Sequence, residues 1–257
     1  MSSNNDTISK TFIVAVVLCL VCSVIVSAAA VLLRPQQETN KAAFLKRNIL
    51  QSAHMYDASK PVQEQFEQFT ARIVDLDTGK FTDAVDPESY DQLIAAKSQD
   101  MSESIPGDED IAKLKRREKY AEVYTLEGDN GIELVILPIR GYGLWGTLYG
   151  YLALESDANT VIGLSYYDHQ ETPGLGGEVD NPRWKGLWTG KKLYEGGDLA
   201  LHVQKGPVEP SDPRKEYKVD GLAGATLTTR GVDLMFQYWL GENGYSKFLT
   251  NLRQGKA

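Results

Sequence analysis

Residues 121–143 read AEVYTLEGDNGIELVILPIRGYG. Two runs within this stretch, Glu122–Leu126 and Ile132–Ile139, are rich in β-branched and aromatic residues and flank a Gly-Asp-Asn-Gly turn. That is the pattern of an antiparallel hairpin. Thr147–Ser156 and Thr160–His169 continue the same enrichment, so about fifty residues hold four strand candidates, enough for an antiparallel sheet. Downstream, Gly176-Gly177 and Asn181-Pro182 break the chain, Trp184–Trp188 suggests a short helix, and Ala200–Gln204 suggests another strand. Thr228–Leu252 is amphipathic, with Val232, Met235, Phe236, Trp239 and Leu240 on one side, and is expected to pack on the sheet. The expected architecture is α+β.

Upstream of this sheet the sequence is less regular. Pro61 suits the first turn of a helix carried through Phe66, Phe69 and Ile73, and Asp77-Thr78-Gly79 reads as a turn. Residues 85–119 are polar, with Pro87, Pro106 and Gly107 as breakers and Asp108 as the N-cap of a helix over IAKLKRREK. Glu38–Met55 has helical character, with Ala42, Ala43, Leu45, Ile49 and Leu50 forming an apolar stripe.

Before that stripe lies FIVAVVLCLVCSVIVSAAAVLL, Phe12–Leu33, without a charge. At about 1.5 Å per residue it reaches roughly 33 Å, against a bilayer core of about 30 Å. A cleaved signal peptide is the rival reading, with Ser27-Ala28-Ala29-Ala30 suited to a peptidase. The apolar run is longer than the usual signal core and continues past those residues, which favours a retained single span. Lys10 alone precedes the span, whereas Arg34, Lys41, Lys46 and Arg47 follow it, a bias that by itself favours a cytoplasmic C-terminal part. The domains expected are a tail over 1–11, a transmembrane helix over 12–33, a helical stalk over 34–60 and a soluble domain over 61–257.

Composition narrows the chemistry. The 257 residues carry 27 basic and 35 acidic side chains, net −8, which argues against a nucleic-acid binder. The five basic residues between Lys113 and Lys119 read as a solvated helix face. Two cysteines, Cys19 and Cys22, exclude a disulfide scaffold and a four-thiolate site within the chain. They share one face of the span, either packing there or forming half of a site completed by a partner chain. The three histidines are scattered: His169 reads as a surface residue, and His54 and His202 have no identifiable partners, so no metal site is expected, and no catalytic constellation either.

Three glycine-centred patches interrupt the scaffold: Gly141–Gly146 (GYGLWG), Glu171–Gly177 (ETPGLGG) and Asp220–Thr229 (DGLAGATLTT). Glycine allows positive φ and close approach of backbone to a ligand. The third patch directly precedes the amphipathic helix, so a phosphate near Gly224–Thr226 suits the helix dipole. An aromatic ring has a place against Leu144-Trp145 and the Thr172-Pro173-Gly174 turn. Taken singly, each patch is ordinary turn chemistry, with Thr226 or Thr228 capping the helix, Trp145 a core aromatic, Glu171 a solvated charge and Asp220 an Asx-turn residue.

In combination, GLWG, ETPGLGGE and DGLAGATLTT after one N-terminal span resemble the C subunit of the sodium-translocating NADH:quinone oxidoreductase. The resemblance runs over nearly the whole chain, including SNNDTISKT at the start and VSAAAV in the span. Its strongest marker is the signature Asp-Gly-x-(Ser/Thr)-Gly-Ala-Thr, matched by Asp220 to Thr226 except that Ala223 stands where Ser or Thr is usual. The resemblance implies an FMN-binding domain within 121–257, with FMN linked covalently through a phosphoester to Thr226 by a separate flavin transferase. It places Gly143, Leu144, Trp145, Glu171, Thr172, Pro173, Gly174, Asp220, Gly224 and Ala225 at the flavin.

It further implies a membrane-anchored electron carrier with no complete active site of its own. Electrons would pass from NADH-derived iron–sulfur centres through this FMN toward quinone, within a multi-subunit complex of the bacterial inner membrane. The soluble domain is then periplasmic, against the charge count. The uninterrupted span lacks the carboxylates an ion path needs, so no sodium site is assigned. The G subunit of the Rnf-type ferredoxin:NAD oxidoreductase is the alternative with the same kind of flavin domain. The extra segment 56–120 favours the sodium pump. A flavin-free anchored binding or assembly protein is the alternative from another class.

Overall fold

The structure is a computed structural model and describes residues 7–129 and 131–257. The chain forms two units, one reaching to Phe44 and one from Leu45 onward.

The first unit is most of helix α1 (Ile8–Ser52). It contains the uncharged run Phe12–Leu33, and it is the one helix among the described residues long and apolar enough to cross a membrane. In that run the side chains are exposed, Cys19 and Cys22 included. A helix satisfies its backbone polar groups internally, as a hydrocarbon environment demands. Pro35 lies inside the helix. There Thr39 donates its hydroxyl to the Pro35 carbonyl at 3.0 Å, and Arg34 pairs with Glu38 one turn on. The first residues of the expected tail, 1–6, lie outside the described residues.

The second unit is built on the sheet. Its elements run α2 (Val62–Phe66), β1 (Phe69–Asp75), β2 (Lys80–Phe81), α3 (Gln92–Ala95), β3 (Ser102–Ser104), β4 (Arg116–Glu118), β5 (Tyr120–Gly128) and β6 (Gly131–Tyr142). Then come β7 (Thr147–Glu155), β8 (Val161–Asp168), α4 (Pro182–Gly186), β9 (Tyr194–Glu195), β10 (Asp198–Leu199), β11 (His202–Val203), β12 (Lys218–Val219), α5 (Thr226–Leu240) and α6 (Ser246–Arg253). Six strands form the main sheet in the order β2-β1-β5-β6-β7-β8, every neighbouring pair antiparallel. The four strands expected between residues 121 and 169 are its β5 to β8.

Alternation of side chains along each strand gives the sheet two buried faces. From β6, Val135, Leu137 and Ile139 join one core with Val232, Met235, Phe236 and Trp239 of α5 and Phe248 and Leu249 of α6. Leu134 and Ile136 turn the other way and join Tyr151, Ala153 and Phe69 against Ile49, Leu50 and Ala53. Each such fully buried apolar side chain contributes about 1.5–3 kcal/mol.

Four expectations are corrected here. The stalk expected over 34–60 stops at Ser52, where α1 ends, and its last turns from Leu45 are part of the second unit's core. Phe69 and Ile73 lie in β1, not in a helix; pairing with β5 from Phe69↔Leu126 to Asp75↔Tyr120 overrides the helical spacing of three aromatic and aliphatic residues. The helix after Asp108 is replaced by turns and β4. Asp110 accepts from the Leu114 and Lys115 amides at 2.7 and 2.8 Å, while Lys113 and Lys115 take positive φ. The helix expected over 228–252 breaks after Leu240, because Tyr245 folds back to donate its amide to the Trp239 carbonyl and its hydroxyl to the Pro138 carbonyl.

Candidate functional site

The three glycine-centred patches meet around one side chain. GLWG is the turn between β6 and β7, closed by a hydrogen bond from the Gly143 amide to the Gly146 carbonyl at 2.8 Å. ETPGLGG follows β8, and its turn is closed by the Leu175 and Gly177 amides, both donating to the Thr172 carbonyl. GATLTT opens α5. Glu171 joins all three, and it is only 5% exposed. Its Oε1 accepts from the amides of Leu144 at 2.8 Å and Trp145 at 3.0 Å, and its Oε2 accepts from the Thr228 hydroxyl at 2.6 Å.

The glycines beside it are required by space. A Cβ at Gly143 would lie 2.4 Å from Glu171 Oε1, and one at Gly176 would lie 2.4 Å from Oε2 and 2.5 Å from Thr228 Oγ1. Behind Glu171, His169 accepts from its amide through Nδ1 at 3.2 Å and bonds Asp180 through Nε2 at 2.8 Å. His169 and Asp180 therefore brace the loop, although the sequence read the histidine as a plain surface residue. Tyr166, at the end of β8, is fully buried, and burial pushes its phenol well above the ordinary tyrosine range.

Around this tie the outer surface is apolar and open. Trp145 is 62% exposed, and Leu144, Leu175 and Leu227 are exposed beside Thr172, Pro173 and Gly174. Both single-residue readings are thus reversed: Trp145 is outside the core and Glu171 is inside it. Thr226 is the first residue of α5 and is exposed, as are Ala223 and Gly224, while Ala225 is buried. No side chain caps this helix, so its first amides are available to an acceptor from outside the helix. Gly224 takes φ +73°, which turns the chain into the helix. Asp220 sits deeper in the loop. Its Oδ1 accepts from the Val208 amide and its carbonyl from Trp184 Nε1, each at 2.8 Å, which fixes the loop that leads to Thr226.

The sequence missed three features of this region. The Thr228 hydroxyl bonds Glu171 rather than capping α5. Leu175 and Leu227 complete the apolar rim. A cleft of about 320 Å3 opens beside Leu144 and Leu227, lined also by Ile111, Lys113, Tyr142 and Arg230. Residue order alone carries no sign of the cleft, since Lys113 and Arg230 are brought together only by the fold. Among the described residues no cluster of histidine, cysteine or carboxylate side chains has metal-holding geometry.

Residues 143–241, which include the exposed threonine at the uncapped helix start and the open apolar and aromatic side chains around it, match the FMN-binding domain family, so the chain carries a flavin-binding domain. Relatives named as the C subunit of Na(+)-translocating NADH-quinone reductase match over the full length. The one from Pseudomonas aeruginosa is 51% identical and the one from Vibrio alginolyticus 43%, with 99–100% of both chains covered. The crystal structure of NqrC from Shewanella oneidensis superposes with a TM-score of 0.74 at 34% identity, covering 82% of this chain and 96% of that one. The crystal structure of the corresponding protein from Parabacteroides distasonis gives 0.66 at 29% identity, covering 85% and 97%. The chain belongs to the NqrC family, the C subunits of the Na(+)-translocating NADH-quinone reductases.

Proposed function

We propose that this chain is a membrane-anchored electron carrier whose FMN is joined to Thr226 through a phosphoester. The observation that carries this reading is the placement of Thr226, exposed at the uncapped start of α5 within the Asp220–Thr226 signature and beside the open rim of Leu144, Trp145, Leu175 and Leu227. The residues present fit such a group. The free amides of the first helical turn and the helix dipole suit the phosphate, and the rim suits an aromatic ring. When bound, FMN supplies the electron-transfer chemistry, and the protein supplies attachment, orientation and local charge.

Each residue then has a task. Thr226 offers the hydroxyl, and Gly224 and Ala225 shape its approach. Leu144, Trp145, Thr172, Pro173 and Gly174 form the surface for the ring. Glu171 holds both loops and α5 in register from beneath. A threonine hydroxyl is a weak nucleophile without a neighbouring base, and the His169 ring is already engaged by Asp180 and the Glu171 amide. Attachment therefore falls to a separate flavin transferase. α1 anchors the chain in the bacterial inner membrane with the soluble domain periplasmic. Electrons reach it from NADH-derived iron–sulfur centres and leave toward quinone through other subunits of the complex.

The intact mass of the chain purified from its own membranes tests this, beside Thr226→Ala. The expected result is an added mass of about 438 Da, FMN less water, present in the native chain and absent from the variant. An unmodified native chain from a host that flavinylates other proteins would sink the reading.

A further inference from the structure

The cleft beside Leu144 and Leu227 carries positive charge that the fold leaves uncompensated. Arg230 lies four residues beyond Thr226 on α5, so the two side chains occupy the same helix face one turn apart. A helical side chain leans toward the N-terminus, which brings the Arg230 guanidinium back toward position 226. Arg230 is exposed and makes no ion pair among the described residues.

The nearby carboxylates are already taken. Glu171 is held by Leu144, Trp145 and Thr228. Asp220 accepts from Val208, and Asp233 accepts from the Val203 amide and sits 3.4 Å from His202. Across the cleft, Lys113 stands 5.4 Å from the centre of the Tyr142 ring. Its turn is fixed by Asp110 and by the Tyr142 amide, which donates to the Ala112 carbonyl at 2.9 Å.

We propose that Arg230 is a positioning residue that clamps the phosphodiester of FMN on Thr226, with Lys113 across the cleft as the second cation holding it. This rests on the Thr226 attachment proposed above. A guanidinium presents a planar fork of donors that matches two phosphate oxygens, which an ammonium does not, so Arg230 is the principal partner.

The test is time-resolved fluorescence anisotropy of the flavin on the intact, membrane-purified chain. It uses Arg230→Gln, Arg230→Lys and the double variant Arg230→Gln/Lys113→Gln, with the intact mass of each recorded. In the native chain at low salt the flavin is expected to tumble with the protein. Arg230→Gln gains a fast local component, the double variant gains more, and Arg230→Lys stays near the native pattern. Salt near 1 M is expected to move the native chain toward Arg230→Gln, since the Debye length falls to about 3 Å. Equal flavin immobility in all four proteins at low salt, with the flavin mass present in each, would overturn the clamp and leave the attachment standing. A native chain lacking the flavin mass would overturn the attachment instead.

Discussion

The cradle around Glu171 and the contact of β4 with β6 around Glu118 each take a glutamate out of water, by different means. Glu118 has no exposed surface. It is met by the Arg140 guanidinium and by the Gln92 side-chain amide, so its charge is neutralised. Glu171 is met by two backbone amides and a hydroxyl, none of them charged. The difference separates two uses of a buried carboxylate. An ion pair holds one element against another and is silent electrically. Neutral donors tie two loops and the first turn of α5 together around one carboxylate. On the neighbouring β5 a third glutamate, Glu122, has less help. Burial pushes its carboxyl up to about 7, the Asp91 charge adds to this, and the Tyr124 hydroxyl opposes it.

This contrast can be broken or sharpened by three variants. The largest expected effect is at the ion pair. Arg140→Ala strands a fully buried Glu118, at a cost of about 3–5 kcal/mol, read as a lowered urea midpoint. A loss under about 1 kcal/mol would mean that the pair does not hold β4 against β6.

Next is Glu122. Its folded value lies above its unfolded one, so the native state binds the proton more tightly. The resulting stabilisation is complete at acid pH, declines as pH rises from about 4.5 to about 7, and is gone above that. With one unit equal to about 1.4 kcal/mol, the window spans on the order of 3 kcal/mol. Urea melts at pH 5 and pH 8 should show that slope in the native chain and not in Glu122→Gln. The same slope in both would assign it to other groups.

Smallest is Glu171→Gln. The new carboxamide keeps its oxygen on the Leu144 and Trp145 amides and gives an N–H to the Thr228 oxygen, so only the strength of a charged acceptor is lost, about 1 kcal/mol. The share of chains carrying the flavin mass should fall with it. An unchanged urea midpoint and unchanged loading would show that the two loops and α5 hold their places without the carboxylate.

How much of this was legible in the sequence depended on how local the deciding contacts are. The hairpins of β5 to β8 could be read because alternation and turn residues lie within a few positions of one another. β1 could not, since Phe66, Phe69 and Ile73 fit a helix spacing and only pairing with β5, some fifty positions away, makes a strand of Phe69 and Ile73. The Asp108 region failed for a related reason. Asp110 spends its carboxylate on a turn and not on a helix cap. In the site, the glycine patches and Thr226 stood out as residues. The inward direction of Glu171 did not, because it is set by Leu144, Trp145 and Thr228 arriving from two other loops. Lys113 lies in a run that read as a solvated helix face, and Arg230 had no reading at all; only the folded cleft brings the two together.

The exposure of Trp145 also has an optical meaning. The chain has four tryptophans, and Trp184, Trp188 and Trp239 are buried, Trp188 and Trp239 completely. The red edge of the protein's ultraviolet emission therefore belongs to Trp145, whose amide shares Glu171 with the first turn of α5. The flavin proposed for Thr226 would absorb where this indole emits. Attachment there would be read first as a loss at the red edge of the native emission, with no label added to the chain.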